Sequence, residues 1–79
     1  LGFNAFNGCS NLSHVIIGAT DSSLSLIGDY CFQGSNLTTI TYLGVDYNNK
    51  GAFEIIWNNS YGTQSLGTDY CAGTPFAQQ

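Results

Sequence analysis

Few side chains in this sequence have the types and spacing that catalysis requires. His14 is the only histidine, with Ser13 beside it and Asp21 close by in the sequence. A serine–histidine–aspartate triad needs side chains that converge from distant segments, and nothing in this spacing supplies that convergence. His14 is instead expected to point outward from a short strand. We therefore expect the chain not to be an enzyme.

Residues that could bind a metal or a phosphate are equally scattered. No run matches the D-x-D-x-D-G pattern of calcium loops or the closely paired cysteines and histidines of zinc sites. No glycine-rich run carries a lysine in the register of a phosphate-binding loop. The sequence therefore predicts no cofactor, although a weak calcium contact between stacked repeats stays open. The carboxylates are Asp21, Asp29, Asp46, Glu54 and Asp69.

The composition is poor in charge. Charged residues make up 8% of the 79 residues, and Lys50 is the single basic residue. Nucleic acids and a polybasic membrane anchor are therefore excluded, and no apolar run approaches the roughly 20 residues of a membrane span. Eight asparagines, eight serines and seven threonines must supply the polar surface. Such a surface repels its own copies only weakly. Because secreted and self-associating chains often have it, we expect an extracellular or cell-surface location.

The chain repeats itself. The first copy, LGFNAFNGCSNLSHVII from Leu1, aligns almost without gaps with the second copy, IGDYCFQGSNLTTITYL from Ile27. A degenerate third copy, LGTDYCAG, begins at Leu66. The offsets between the copies are 26 and 39 residues. Such self-similarity is typical of stacked-repeat architectures.

Each copy predicts one short strand preceded by a single helical or 3₁₀ turn. Val15 and Ile17 in the first copy, like Ile40 and Tyr42 in the second, are spaced at strand period two. Because so short a strand cannot bury its apolar face alone, we expect the copies to stack as a parallel sheet. The phenylalanine of each copy would fill the core, and the glycine two residues later would turn the chain into the strand.

This pattern resembles the BspA-like leucine-rich repeats, whose unit reads roughly I-G-x-x-A-F-x-G-C-x-x-L-x-x-I-x-I. The first copy meets nearly every key position. The second has Cys31 in place of the alanine and lacks the cysteine after Gly34, and the third loses the phenylalanine and the strand consensus. The resemblance implies a leucine-rich-repeat solenoid, a surface or secreted location, adhesion or interaction roles, and no catalytic residues.

We accordingly predict one mostly β domain: a short leucine-rich-repeat solenoid with parallel strands, short helical turns and an inserted β-hairpin. Repeat 1 covers residues 1–26, repeat 2 covers 27–43, the hairpin insertion covers 44–65 and the degenerate repeat 3 covers 66–79.

The hairpin is predicted from a turn signal, Asn48-Asn49-Lys50-Gly51, between two apolar runs. Its first arm would include Val45, and its second would be a strand from Ala52 to Trp57 with period two. Aromatic residues dominate interface hot spots, so those of the hairpin are candidates for a contact with glycans or with host or cell-surface proteins. Core or end-cap packing is the alternative. These residues are Tyr47, Phe53 and Trp57.

Two of the three cysteines lie in matching Asp-Tyr-Cys triplets, at Cys31 and Cys71. If the second and third copies stack directly, their backbones lie about 4.8 Å apart. That spacing is compatible with a disulfide. We therefore predict a Cys31–Cys71 bridge with Cys9 as a buried thiol, or else three buried thiols.

Three N-x-S/T sequons are candidates for glycosylation. Asn11 and Asn36 share one repeat position, where Ser-Asn-Leu is suited to the entry into a strand. Asn58, beyond the predicted extra strand, is the most independent candidate.

The sequence also predicts self-assembly. Stacked repeats expose sheet edge and core at their ends unless caps cover them, and no cap is recognisable. Head-to-tail contacts, as in a secreted filament, would join Leu1, Phe3 and Phe6 of one copy of the chain to Phe76 of the next. Two alternatives stay open: a fragment of a longer cell-surface adhesin, and a carbohydrate-binding module that uses the hairpin aromatics.

Overall fold

The computed structural model describes residues 2, 4–17, 27–62 and 65–78. In this part of the chain a three-stranded sheet has the order β1-β2-β3. β1 and β2 run parallel and pair Val15 with Ile40, as predicted for the strands of the first two copies. The elements in chain order are β1 (His14–Ile17), β2 (Thr39–Tyr42), β3 (Val45–Tyr47), α1 (Lys50–Tyr61) and a 3₁₀ helix at Phe76–Gln78.

β3 reverses the direction of the sheet. It runs antiparallel to β2, with Tyr42 paired to Val45. Leu43 and Gly44 join the two strands and have φ values of 52° and 82°. Two successive residues with positive φ are typical of the tight turns whose twist matches that of a hairpin. A hairpin therefore exists, but it is formed by β2 and β3 and not by the two arms predicted for the insertion.

The core lies on one face of the sheet. Ile17, Ile40 and Tyr42 are buried, whereas Ile16, on the opposite face of β1, is 76% exposed. The phenylalanine of the second copy, Phe32, is fully buried as predicted. The period-two pattern of the sequence therefore identifies the inward-facing residues of β1 and β2 correctly.

The predicted strand from Ala52 to Trp57 is wrong, because this segment lies in α1. The Asn49 side chain caps the helix by accepting a hydrogen bond from the Ala52 N–H at 3.0 Å. Phe53 and Trp57, four residues apart, are both fully buried, whereas Ile55 between them is 65% exposed. That burial follows the helical period and not the strand period.

α1 covers the core beside β2 and β3 and the 3₁₀ helix. The rings of Phe53 and Phe76 lie 6.0 Å apart, and those of Tyr42 and Trp57 lie 5.4 Å apart. The Trp57 indole N–H also donates to the Ser65 hydroxyl at 2.7 Å. The insertion thus covers this end of the core, as in the end-cap alternative, but it does so with a helix and not with the predicted strand. Among the described residues, no helix has the length and apolar character needed to cross a bilayer.

Candidate functional site

Backbone hydrogen bonds that recur from copy to copy join the turns that precede the strands. The Phe6 N–H donates to the Cys31 carbonyl at 2.7 Å, and the N–H groups two residues before and after Phe6 donate to the second copy in the same way. The Phe32 N–H donates to the Tyr70 carbonyl at 2.7 Å, again with equivalent bonds on either side. This ladder has a direction, because each copy donates to the next one along the chain.

The backbone conformation recurs at the same offsets as the sequence. Asn4, Tyr30 and Asp69 occupy equivalent positions and have φ values of 59°, 58° and 51°. Four residues after each of them, a glycine with φ of 72°, 73° or 77° ends the turn. The sequence offsets of 26 and 39 residues therefore describe three turns of one geometry.

The ladder ends in a row of donors on one side and a row of acceptors on the other. Within the described residues, the N–H groups of Asp69, Cys71 and Gly73 have no acceptor; we call them the donor row. At the opposite end, the carbonyls of Ala5 and Asn7 accept no N–H from the described chain; we call them the acceptor row. Unpaired backbone groups at an edge are a template for pairing.

A groove of about 380 Å³ lies between α1 and the third copy. Lys50, Glu54 and Asn58, which are spaced four residues apart and so share one face of α1, line one side. Asp69 and Tyr70 are among the residues of the third copy that line the other side. The groove therefore lies directly beside the donor row.

The α1 side of the groove carries a small polar network. The Lys50 Nζ lies 3.3 Å from the Glu54 Oε2, and the Tyr70 hydroxyl donates to the same carboxylate oxygen at 2.8 Å. The Asn58 Oδ1 is buried and has no hydrogen-bond partner among the described residues. A buried acceptor without a donor is costly, so this position favours a ligand that can donate.

Two titratable groups at this end of the stack are held neutral by their surroundings. Burial is the main cause that raises the pKa of Cys71, to about 11. The pKa of Tyr70 is raised well above its usual range, first by burial and then by the neighbouring Cys71 and Glu54. The folded state therefore favours the protonated form of both groups.

Of the three residues that were weighed for a catalytic triad, the structure describes two, His14 and Ser13. His14 is exposed on β1, as predicted, and its Nε2 lies 2.6 Å from the Thr41 hydroxyl oxygen. That hydroxyl donates to the Asp46 Oδ1 at 2.6 Å. The Thr38 hydroxyl donates a hydrogen bond to the Ser13 backbone carbonyl. Asp21 lies outside the described residues. The part of the chain that the structure describes contains no group of three or more histidine, cysteine or acidic side chains that could hold a metal ion.

Two of the three aromatic residues predicted for the hairpin, Phe53 and Trp57, are not exposed at the surface. Phe53 and Trp57 are fully buried, and Tyr47 is half-buried with its ring 6.1 Å from that of Phe53. Their spacing of four residues in α1 directs the side chains of Phe53 and Trp57 toward the core, as in the end-cap alternative. Their faces are therefore not available for stacking on a sugar.

The predicted assembly residues fall into three groups. Phe76 is fully buried in the core of its own chain, because it takes the position of Leu37 and donates its N–H to the Leu37 carbonyl at 2.8 Å. It is therefore not available to another molecule. Phe6 is half-buried and stacks on Phe32 with ring centroids 5.6 Å apart. Leu1 and Phe3 lie outside the described residues.

The cysteines differ from the prediction. All three thiols are free, and Cys9 is exposed rather than buried. The offset of 39 residues between the second and third copies places Cys71 opposite Phe32, whereas the Asp-Tyr-Cys triplets match at an offset one residue longer. The register is therefore the physical reason why Cys31 and Cys71 are not directly opposite each other. Burial raises the pKa of the Cys31 thiol.

The three sequons have different environments. Asn58, the candidate that the sequence favours most, lies within α1 and is partly buried in the groove. The Asn36 Nδ2 donates to the Ser10 carbonyl of the first copy, so its amide is engaged between copies. Asn11 is exposed. The structure thus makes Asn11 the most accessible acceptor, while glycosylation itself stays a prediction.

The sequence analysis missed the α1 face of the groove. Lys50 and Glu54 have the spacing of a helical ion pair, and Asn49 before them is a favourable N-cap residue. These two signals together indicate a helix. The same part of the sequence, Asn48-Asn49-Lys50-Gly51, also has the composition of a turn, and the hairpin prediction followed from that composition. Gly67 was missed as well: a Cβ there would lie 2.3 Å from the Asp29 nitrogen, so the second and third copies approach closely at this glycine.

A family model described as BspA type leucine rich repeat region (6 copies) matches residues 1–67. The chain therefore belongs to the BspA-type leucine-rich-repeat family, as its repeated motif indicated. Leucine-rich-repeat regions of this type are surface or interaction modules rather than enzymes. Neither the curated proteins nor the solved structures contain a match to the chain.

Proposed function

We propose that this chain is an extracellular interaction module that stacks head to tail with a second copy of itself, through the turn and strand edge of its first copy. Repetition of the contact would form a secreted or surface filament. Such a contact joins two different surfaces, and it grows unless it closes into a ring.

The complementarity of the two ladder ends carries this proposal. The donor row belongs to the third copy and the acceptor row to the first, and at the equivalent turn positions inside the chain each copy donates to the next. A first copy placed after a third copy would therefore continue the ladder in the same register and direction. Pairing would also remove the cost of leaving backbone groups without partners.

Apolar surface and low charge favour the same contact. Phe6, Leu12 and Val15 pack against the core but stay only partly buried, so the first copy presents apolar area at its outer side. Removing such area from water is favourable by about 25 cal/mol per Å². The formal net charge of −4, with Lys50 as the single basic residue, opposes association only weakly.

The two alternatives differ in how well the structure supports them. In a longer adhesin, the acceptor row would receive a preceding repeat of the same chain, and the same ladder argument applies. The family description of six copies is compatible with stacks longer than three. A carbohydrate-binding role for the aromatic residues has no support, because Phe53 and Trp57 are fully buried.

Sedimentation velocity over a range of protein concentrations tests the proposal. We expect the natural chain to associate, and Val15→Lys to weaken association because Val15 faces the apolar outer side of the first copy. Ile16→Lys is the matched control, since Ile16 is the adjacent residue on the opposite face of β1 and is 76% exposed. Thermal unfolding of both variants shows whether each one is folded.

Two results would contradict the proposal. One is a natural chain that stays monomeric at the highest attainable concentration. The other is a folded Val15→Lys variant that associates as tightly as Ile16→Lys. Either result would favour the reading in which the open edge belongs to a neighbouring repeat of a longer chain.

A further inference from the structure

We propose that the groove between α1 and the third copy is the docking site for the turn segment 4–8 of a second copy of this chain. This inference rests on the proposed head-to-tail function and specifies its receiving side. The segment would lie along the donor row, with the acceptor-row carbonyls of Ala5 and Asn7 pointing at the N–H groups of Cys71 and Gly73.

The position of the groove supports this assignment. Residues of the donor row line it on one side, and α1 lines it on the other. The opposite edge of the third copy is already bonded to the second copy, as in the 3.0 Å bond from the Gly34 N–H to the Ala72 carbonyl. A further turn stacked on the third copy would therefore enter the groove.

The sheet restricts what can dock. β3 lies beside β2 on the side away from β1 and runs antiparallel to it. A second copy therefore meets β3 and α1 where a leucine-rich repeat would otherwise place its next parallel strand. Within the described residues the ladder stays open at the turn, which limits the hydrogen-bonded part of the contact to a short segment such as 4–8.

The chemistry of the groove suits a neutral peptide segment. Lys50, Glu54 and Asp69 give its walls both signs of charge, and the 4–8 segment carries no charged side chain. The groove offers backbone donors to the carbonyls of the segment, while the buried Asn58 Oδ1 still lacks a donor. Peptide N–H groups and the amide of an exposed asparagine such as Asn4 are donors of the required kind.

A substitution inside the groove tests the assignment. Ala72 lines the groove, and Ala72→Arg would fill it with a large side chain without removing a backbone hydrogen bond. We expect this variant to weaken self-association at least about tenfold, which corresponds to roughly 1.4 kcal/mol. Ala52→Arg places the same side chain on an exposed position of α1 and is expected to leave association within about twofold of the natural chain.

A mixing experiment separates this inference from the proposed function. Val15→Lys retains the groove and Ala72→Arg retains the first copy, so an equimolar mixture should form a one-to-one complex more tightly than either variant associates alone. If Ala72→Arg associates as tightly as the natural chain while Val15→Lys does not, the groove assignment is overturned and the head-to-tail function stands. If the natural chain is monomeric, both fail.

Hydrogen exchange on the natural chain avoids any loss of folding in the variants. The amides of the donor row should exchange more slowly at high protein concentration than at low concentration. The equivalent amides of the second copy, at Phe32 and Gly34, are bonded within the chain and should not change. Association without added protection of the donor row would overturn the assignment.

Discussion

The two ends of the stack are covered to very different extents. At the first copy, Phe6 and Val15 are only partly buried. At the third copy, Phe53 and Trp57 of α1 and Phe76 of the 3₁₀ helix are completely buried. The insertion between the second and third copies accounts for the difference, because it supplies both β3 and the helix that covers the core.

This contrast distinguishes two requirements at the end of a stack of repeats: covering the apolar core and pairing the backbone hydrogen-bonding groups. α1 and β3 cover the apolar core at the third copy, but they leave the backbone donor row without partners. The end is thus closed to further core packing and open to hydrogen bonding. Among the described residues, both the core and the acceptor row are open at the first copy, so the stack has a direction.

The largest effect on the free energy of unfolding is expected from substituting Trp57, a residue of α1 that covers the core at the third copy. Trp57→Ala should destabilise the fold by about 3–5 kcal/mol, because the indole is fully buried and bonded to Ser65. Phe6→Ala, at the open end, should cost about half as much or less, since part of that ring is already exposed. Urea unfolding of the two variants measures the difference. Equal losses would mean that the two ends are not distinct.

A second comparison uses the glycine that opens the first and third copies. Gly67→Ala should cost about 3 kcal/mol, the upper part of the range for overpacking, because its Cβ would lie 2.3 Å from the Asp29 nitrogen. Gly2→Ala should change stability by less than about 0.5 kcal/mol, because no atom of the described residues lies within 4 Å of a Cβ there. The midpoint of thermal unfolding should separate the variants clearly. A Gly67→Ala protein as stable as Gly2→Ala would contradict the close approach of the copies.

The sequence predicts the repeated unit well and the insertion poorly. The alternation at Val15 and Ile17 and the glycine after each turn are local signals, and the structure places both as expected. The segment from Ala52 to Trp57 supports both a strand and a helix, since Phe53 and Trp57 are two strand periods and also about one helical turn apart. Tertiary packing under the helix decides between them.

The candidate site was harder to predict because it depends on register. The triplet Asp69-Tyr70-Cys71 resembles that of the second copy, but the hydrogen bonds follow the Leu-Gly opening and the later glycine instead. The one-residue difference moves Cys71 away from Cys31 and places Phe76 at the position of Leu37. No local pattern reveals which of two nearly equal alignments the stacked backbones adopt.

The closed end should also make stability sensitive to alkaline pH. Burial raises the pKa of Cys71 from 9.0 to about 11, so the folded state keeps its proton at pH values where the unfolded state has lost it. The stability that this thiol contributes is complete below pH 9 and is lost as pH rises through 11. The loss is about 1–3 kcal/mol. The buried Tyr70 acts in the same direction above its ordinary pKa of about 10.

Urea unfolding at intervals between pH 8 and pH 11 measures this effect. The stability of the Cys71→Ala variant should decrease less over this range than that of the natural chain, because one of the two buried groups no longer titrates. Cys9→Ala is the matched control at the open end, where the thiol is exposed, and it should retain the full decrease. An identical pH dependence for Cys71→Ala and Cys9→Ala would show that the buried thiol is not responsible.

The smallest expected effect compares one asparagine position between neighbouring copies. The Asn36 Nδ2 donates to the Ser10 carbonyl and so connects the second copy to the first, whereas Asn11, at the equivalent position of the open end, is exposed and has no partner among the described residues. Asn36→Ala should therefore cost about 1 kcal/mol, the typical value of one such bond. Asn11→Ala should cost close to nothing in the monomer.

If the chains stack head to tail, Asn11 would face a neighbouring copy, so Asn11→Ala should weaken association without lowering the stability of the dilute protein. Unfolding of the dilute variants and sedimentation of the concentrated ones distinguish these effects. An Asn11→Ala variant that loses as much monomer stability as Asn36→Ala would show that the first copy is not an open end.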